Sequence, residues 1–351
     1  MVHILLLLGC AVVIYLACEW FINAVEWLGA RMQVGSIAVG SVLAAVGTAL
    51  PESVVTLVAV LFGGSRATDD IAVGAALGGP LVVGTIAYGV TGFMLLRRRA
   101  RQTAGGSNAP SRAAGSSVGG GSQIEGLDAA DIGRLARDQT WFIAIFVVKV
   151  ALGLVAFAFK PWLGLLFFAA YAVYFWREMS ADGEKASHED LDPLKLQPRR
   201  TDPATWAVVL QTLATVAVIF GASRLFVAQL EWAGPALGLS PLVTALLLSP
   251  IATELPEVLN AIIWVRQGKT RLALANISGA MMIQATVPSG IGLLGTPWLF
   301  DTPALLSGIT TLAVVVYLLV LFRGNRITAA TLTLAGLFYV AFAVALVVAL
   351  A

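Results

Sequence analysis

Charge, histidine and cysteine are all scarce in this sequence. Charged residues make up only 12% of its 351 residues, and histidine and cysteine occur twice each. Apolar residues make up 58%, which is more apolar surface than a water-soluble core of this size can bury. The composition therefore excludes a soluble globular protein, and the lipid bilayer is the solvent that we expect for most of the chain.

Apolar runs long enough to cross a bilayer recur along the chain and predict an all-α membrane protein of about ten transmembrane helices. Helices are expected because the bilayer interior offers no hydrogen-bond partners to an open backbone. The predicted crossings cover residues 3–30, 34–63, 70–96, 140–158, 161–178, 204–232, 238–265, 271–297, 302–322 and 327–350.

The few histidines and cysteines add little chemistry to these crossings. His3 lies at the outer end of the first predicted crossing and His188 in a loop, so no Ser–His, Cys–His or histidine–metal constellation forms at depth. We therefore predict that the protein is not an enzyme. Cys10 and Cys18 fall in the first crossing, too far apart along one helix to bond to each other, and we interpret them as small buried apolar side chains.

Basic residues are distributed unevenly between the two sides of this layout. Eighteen of the 22 lysines and arginines lie in alternate loops, whereas the opposite loops hold only Arg66 and Lys160. Because basic loops stay in the cytoplasm, we predict an inner or plasma membrane protein with both termini outside. The loops at 100–138 and 179–203 are then cytoplasmic.

Composition divides the chain into five stretches. A Gly/Ser-rich linker is expected to be flexible, and the end of the same stretch, 126–138, has the pattern of a short amphipathic helix. The stretches are a first repeat core of three helices at 1–99, the linker with its short helix at 100–138, two helices at 139–178, a loop at 179–203 and a second repeat of five helices at 204–351.

An internal repeat relates the two halves of the chain. Residues 17–52 align with 222–257 at a constant offset of 205, without a gap and with ten identities in 36 positions. Five predicted crossings separate the copies, and an odd number inverts the second copy relative to the first. The fold that we predict is therefore two inverted-topology five-helix repeats, an architecture common among alternating-access transporters.

Each copy of the repeat contains a proline-broken helix that carries a glutamate. The two sequences are GTALPE at 47–52 and ATELPE at 252–257. Proline lacks an N–H, so the carbonyls of Gly47 and Ala252 lose their helical partners, and in hydrocarbon a bound cation can replace the lost hydrogen bonds.

Glutamates and threonines supply the other oxygens of the predicted site. Glu52, Glu254 and Glu257 would each be costly in the middle of a membrane, so we expect them to face a cavity and to carry function. Thr48 and Thr253 lie four residues before a glutamate, on the same helix face. Carboxylate, hydroxyl and freed carbonyl together form a hard oxygen site suited to sodium or calcium.

A purely structural role for these carboxylates would require cationic partners at the same depth. Only Lys149 and Arg224 lie inside crossings, and two cations cannot neutralise three carboxylates. Arg224 and Glu19 occupy equivalent positions in the two repeats, and the sequence leaves open whether they pair. Three carboxylates cannot all ionise without cations, which makes proton binding a natural counter-load.

The helix after each broken helix should complete the site. These helices contain GAALGGPLVVGT at 74–85 and ANISGAMMIQAT at 275–286. Serine and threonine in such helices are more often packing or back-bonded residues than ligands, so Gln284 is the strongest candidate. The full candidate set is Thr85, Asn276, Ser278, Gln284 and Thr286.

GLSPLV at 238–243 leading into ATELPE, its counterpart GTALPE and the two glycine-rich helices resemble the α-repeats of the sodium/calcium exchanger family, within the calcium/cation antiporter superfamily. The resemblance covers both repeats and the ten-helix layout. It implies calcium moved against sodium or protons, with Glu52 and Glu257 coordinating calcium. It also implies that the first and sixth helices slide past a fixed site.

Several oxygen ligands typical of that family are missing. The family typically has GTSxPE, then GSN and an Asn or Asp three residues later. Ala49 and Glu254 stand at the first Ser, Gly79 at the Ser of the first GSN, and Val83 and Gln284 at the later Asn or Asp. Because these positions help to form the family's sodium sites, we hypothesise that protons take over part of the role of sodium.

Together these observations predict a secondary active antiporter that exchanges calcium against sodium or protons by alternating access. Two alternatives stay open. One is an exchanger of another cation on the same scaffold, either sodium or potassium against protons, or magnesium. The other is an ion-binding sensor without transport. We expect inorganic cations and the lipid bilayer as partners, no nucleic acid and no cofactor, and the sequence leaves the oligomeric state open.

Overall fold

The computed structural model describes residues 2–35, 38–62, 66–104, 124, 126–180, 191–236, 250 and 253–350. The described chain is built from helices. In chain order they are α1 (Val2–Met32), α2 (Val39–Thr48), α3 (Leu50–Phe62), α4 (Arg66–Val82), α5 (Tyr88–Ala104), α6 (Ala129–Gly153), α7 (Gly164–Met179), α8 (Thr205–Ala236), α9 (Leu255–Arg266), α10 (Thr270–Gly295), α11 (Thr302–Arg323) and α12 (Ala329–Leu350).

The structure confirms a multi-pass, all-α membrane protein. Six stretches of the described chain are long and apolar enough to cross a bilayer, and they are Leu5–Met32, Ala72–Arg101, Thr205–Phe226, Thr270–Gly295, Thr302–Arg323 and Ala329–Ala349. In α12 the exposed side chains Leu337, Val340, Val344 and Val348 recur at helical spacing, while Leu346 on the other face is buried. Such an apolar outer stripe is stable where lipid covers it.

Helix α10 lies at the centre of the molecule and is the most buried of the six spans, at 83%. It packs against α2, α3, α4, α6, α7 and α9. Its crossing with α2 is close because glycines stand at the contact: a Cβ at Gly279 would overlap the carbonyl of Ser41, and one at Gly40 would lie 2.9 Å from the carbonyl oxygen of Leu272. Small residues of this kind allow helix backbones to approach within a membrane.

Helices α1 and α8 form an antiparallel pair along most of their length. The ring of His3, at the start of α1, stacks on Trp232 near the end of α8, with 3.8 Å between the ring centroids. At the opposite end, Arg31 forms an ion pair with Asp202, just before α8 begins. These two helices are the elements that the 205-residue offset makes equivalent.

The short helix predicted at 126–138 is the first part of the longer helix α6. The side chain of Asp128 accepts a hydrogen bond from the amide of Asp131, and the side chain of Asp131 accepts one from the amide of Asp128, which forms a capping box. Arg271 donates to Asp131 at 2.7 Å. Burial raises the pKa of Asp131, which lies outside the predicted crossing at 140–158, while Arg271 opposes that rise.

Other predictions meet the structure at single residues. Cys10 and Cys18 are buried free thiols, as predicted. Glu19 forms an ion pair with Lys195 at 3.5 Å, whereas Arg224 is exposed and lies over the ring of Phe220. Most of the Gly/Ser linker, His188, the GLSPLV segment and Ala252 lie outside the described residues.

Candidate metal centre

Two matching helix breaks frame the site. The first lies at Ala49, between α2 and α3, with φ −85° and ψ 3°. The second lies at Glu254, just before α9, with φ −86° and ψ 4°. The two positions are 205 residues apart, so the repeated sequence adopts the same backbone conformation twice. Each break precedes a proline by two residues, which leaves the Gly47 carbonyl, in the first copy, without its α-helical donor.

Three carboxylates meet at these breaks. Glu52 lies in the first turn of α3, Glu257 in the first turn of α9, and Glu254 at the second break itself. One oxygen from each of the three lies within 4.8 Å of the others, and all three residues are buried, with at most 2% exposure. Three like charges at this separation are strongly unfavourable unless cations or protons neutralise them.

Hydrogen bonding leaves most of these carboxylate oxygens free. Glu254 accepts one hydrogen bond at 2.5 Å from the side-chain amide of Gln284 on α10. Both oxygens of Glu52 and of Glu257, and the second oxygen of Glu254, have no partner among the described residues. Buried acceptors are normally satisfied, so a cluster of unsatisfied ones indicates a missing ligand.

No lysine or arginine neutralises the cluster within the described part of the chain, where every salt bridge involves other carboxylates. The two candidates from the sequence are placed elsewhere. The ammonium of Lys149 donates to two main-chain carbonyls, and Arg224 is exposed. The alternative in which the carboxylates form structural ion pairs therefore has no support in this geometry.

The two predicted threonines cross over between the copies. Thr48 lies beside Glu257, and Thr253 lies beside Glu52, so each hydroxyl approaches the glutamate of the other repeat. Each hydroxyl donates its proton to the carbonyl three or four residues earlier, at 3.1 and 3.2 Å. The lone pairs of both oxygens stay available to a cation, because a back-bonded hydroxyl spends only its proton.

The helical segments that follow α3 and α9 contribute unequally to the site. Thr85 and Thr286 are buried and donate to the carbonyls four residues earlier, at 2.5 and 2.6 Å, which is the packing role expected for such residues. Ser278 donates to Asp138 at 2.9 Å. Of the predicted set, Gln284 is thus the residue whose side chain bonds a carboxylate of the cluster.

A glycine on α4 replaces a side chain next to the cluster. A Cβ at Gly79 would lie 2.7 Å from Glu254 Oε1 and 3.1 Å from the amide carbon of Gln284. The carboxyl of Glu254 therefore occupies the space into which a side chain at position 79 would project. The absence of a side-chain oxygen at Gly79 and the additional carboxylate at Glu254 are therefore neighbouring differences in one part of the site.

Two buried asparagines on α9 and α10 have amide atoms without a partner among the described residues, and the sequence analysis named only Asn276. Asn260 follows Glu257 by three residues on α9, is fully buried, and neither atom of its amide has a partner among the described residues. Asn276 on α10 has the same properties. The signal for Asn260 was available, because residues three apart share a helix face.

The donor set consists of oxygen atoms. Carboxylates from Glu52, Glu254 and Glu257, two hydroxyls and the freed carbonyl of Gly47 are ligands that hard cations prefer, and calcium accepts six to eight of them in flexible geometry. The described chain places no cysteine or histidine within this cluster. Such a buried donor set is suited to binding a hard cation.

Comparisons with known proteins agree with this architecture. The model of the family described as sodium/calcium exchanger protein matches residues 2–178 and 206–351. Among solved structures, the sodium-calcium exchanger NCX_Mj soaked with 10 mM Na⁺ and zero Ca²⁺ is similar at a TM-score of 0.69 and 14% identity, with 96% of each chain covered. The H⁺/Ca²⁺ exchanger CAX is similar at a TM-score of 0.68 and 16% identity, with 97% of this chain and 81% of that chain covered. No curated protein matches the sequence.

Proposed function

Because this chain belongs to the sodium/calcium exchanger protein family, we propose that it is a secondary active antiporter that exchanges calcium by alternating access. The observation that carries the proposal is the buried cluster of Glu52, Glu254 and Glu257. One oxygen from each lies within 4.8 Å of the others, and no cationic side chain of the described residues forms an ion pair with them. A divalent cation neutralises such a cluster better than a monovalent one does. The similar solved structures, a sodium-calcium exchanger and an H⁺/Ca²⁺ exchanger, support calcium as the cargo.

Protons are the counter-ion that we propose. Glu254 stands where the family has a serine, and its carboxyl fills the space beside Gly79, where the family has a second serine. A neutral ligand is thereby replaced by a group that binds a proton. When calcium leaves, the repulsion among three carboxylates favours proton uptake, and when calcium binds, those protons are expelled. This exchange couples the two ions without a dedicated sodium site.

Two inverted repeats within ten crossings are the scaffold that we propose for alternating access. Helices α1 and α8 are equivalent in sequence and pack antiparallel, as inversion requires. The breaks at Ala49 and Glu254 share one backbone conformation. Both termini would lie outside, with the basic loops in the cytoplasm. Movement of the α1/α8 pair past a fixed carboxylate cluster would open the site to each side in turn.

Ion flux into reconstituted vesicles tests this proposal. Calcium uptake is measured under an imposed pH gradient and, separately, under an imposed sodium gradient. We expect the pH gradient to drive uptake and both Glu52→Gln and Glu257→Gln to abolish it. Glu19→Gln is the matched control, because Glu19 lies outside the cluster and pairs with Lys195.

Each alternative gives a different result in the same assay. Flux driven by sodium and insensitive to a pH gradient would overturn the choice of protons. Flux of magnesium, sodium or potassium without calcium would indicate an exchanger of another cation on the same scaffold. Saturable calcium binding without any flux would indicate a sensor.

A further inference from the structure

Lys149 is a fully buried lysine that forms no ion pair with the carboxylate cluster. It lies on α6 and has 0% exposure. Its ammonium nitrogen donates to the carbonyl oxygen of Ala76 at 2.6 Å and to that of Gln284 at 3.4 Å, and it lies 4.9 Å from the centre of the Phe146 ring. No carboxylate of the described chain lies within 4.0 Å of it. A buried cation without a counter-charge is costly, so its surroundings must compensate in another way.

Both of its carbonyl partners are made available by prolines. Pro80 follows Ala76 by four residues in α4, and Pro288 follows Gln284 by four residues in α10. In an α-helix the amide of the fourth following residue would donate to each of these carbonyls, and proline has no N–H to donate. In a bilayer such oxygens need another donor or a cation. Lys149 therefore contacts two carbonyl oxygens that lack their helical donors, one on α4 and one on α10.

These contacts favour the charged form of the side chain. Two carbonyl oxygens and an aromatic face are acceptors of positive charge. A neutral amine would need a hydrogen-bond donor for the lone pair of its nitrogen. None of the described contacts of the Lys149 nitrogen is such a donor. The arrangement has the chemistry of a monovalent cation site, with an ammonium in place of a free ion.

Gln284 connects this ammonium to the carboxylate cluster. Its main-chain carbonyl accepts from Lys149, and its side-chain amide donates to Glu254 at 2.5 Å. Three ionised carboxylates and one ammonium carry a net charge of −2, which a single divalent cation neutralises. The additional carboxylate of Glu254 is thus accompanied by the positive charge of Lys149, and Gln284 contacts both groups.

We propose that Lys149 is a tethered cation, which permanently fills a carbonyl site shared by α4 and α10 that would otherwise bind a monovalent cation. This inference rests on the proposed function for its meaning in transport. The geometry of the site does not depend on that function. A fixed charge in this position removes the need for a co-bound monovalent ion, and it adds a positive charge beyond Gln284 without forming an ion pair with the cluster.

Removing the side chain should convert the position into a site for free cations. In Lys149→Ala the two carbonyls lose their ammonium, while α4 and α10 keep their prolines. We expect sodium, potassium or n-propylammonium to raise the thermal unfolding midpoint of this variant in detergent. The expected rise is about 5 °C at a concentration about 100 times the dissociation constant. Lys149→Met is the control, because its apolar side chain fills the same space, and it should show no such rise.

Calcium uptake by the same variants tests the role in transport. In vesicles, uptake by Lys149→Ala should increase about tenfold when one of these cations is added, whereas uptake by the parent protein should not respond, because its site is already filled. Absence of calcium uptake by the parent protein would contradict the proposed function and leave the unfolding test intact.

Three results would overturn the tethered cation. The first is an unfolding midpoint of Lys149→Ala that does not respond to any of the three cations. The second is an equal response in Lys149→Met or in the parent protein, which would show that the cations act elsewhere. The third is a Lys149→Ala protein that fails to fold both with and without the cations during purification. A protein that folds only when they are present is the expected stabilisation in its strongest form.

Discussion

Replacing Glu254 by glutamine removes one charge from the cluster and keeps its shape. The carboxylate of Glu254 accepts a hydrogen bond from the amide of Gln284 at 2.5 Å, and the amide oxygen of a glutamine can accept the same bond. The substitution Glu254→Gln should therefore preserve the fold, so that its effects report charge alone.

The size of the effect follows from the separation of the charges. Two unit charges 4.8 Å apart repel by about 3.5 kcal/mol at an effective dielectric constant of about 20. That repulsion corresponds to about 2.5 pH units, since one unit is about 1.36 kcal/mol. The negative charge of Glu254 assists proton binding at Glu52 and Glu257. Without the charge of Glu254, protons should therefore displace calcium only at a pH about 2 units lower.

Calcium affinity of the purified protein, measured by titration calorimetry at a series of pH values, tests this reasoning. The pH at which affinity has fallen by half is compared between the parent protein, Glu254→Gln and the control Glu19→Gln. Glu19 carries the same charge and pairs with Lys195 instead of joining the cluster. An unchanged pH midpoint in Glu254→Gln would refute the coupled titration of the three carboxylates, as would an equal shift in the control.

Three further substitutions test separate parts of the structure. Thr48→Val should lower calcium affinity about tenfold, because it removes one of the neutral oxygens that we propose as ligands. Thr85→Val, at an equally buried and back-bonded position, should leave affinity unchanged in the same calorimetric assay. Arg271→Gln should lower the unfolding midpoint more at pH 8 than at pH 5. Burial raises the pKa of Asp131 and Arg271 opposes that rise, so loss of the guanidinium destabilises the charged carboxylate and costs more stability as the pH increases. Gly279→Ala should destabilise the protein by about 1–3 kcal/mol in thermal unfolding, because its methyl group overlaps the backbone of the crossing helix α2, and unaltered stability would contradict that close crossing.

The sequence by itself determined the parts of this protein that depend on local chemistry. The membrane class follows from composition, because apolar runs of this length have no other stable environment. The helix breaks follow from proline, which lacks an N–H in any context, and their repetition at an offset of 205 makes both visible in one chain. The importance of Glu52, Glu254 and Glu257 follows from the cost of a carboxylate in hydrocarbon, and their role as ion ligands stays a prediction.

Only the tertiary structure decided which side chains meet, because partners on different helices depend on how those helices rotate and cross. Glu19 could pair with Arg224 by repeat symmetry, and it pairs instead with Lys195 from a loop. Nothing in the sequence indicates that the main-chain carbonyl of Gln284 accepts from Lys149 while its side-chain amide donates to Glu254. Lys149 was counted among possible partners of the carboxylates, yet it bonds carbonyls that prolines on two other helices leave free. Spacing along one helix is a property of the sequence, whereas contact between helices is a property of their packing.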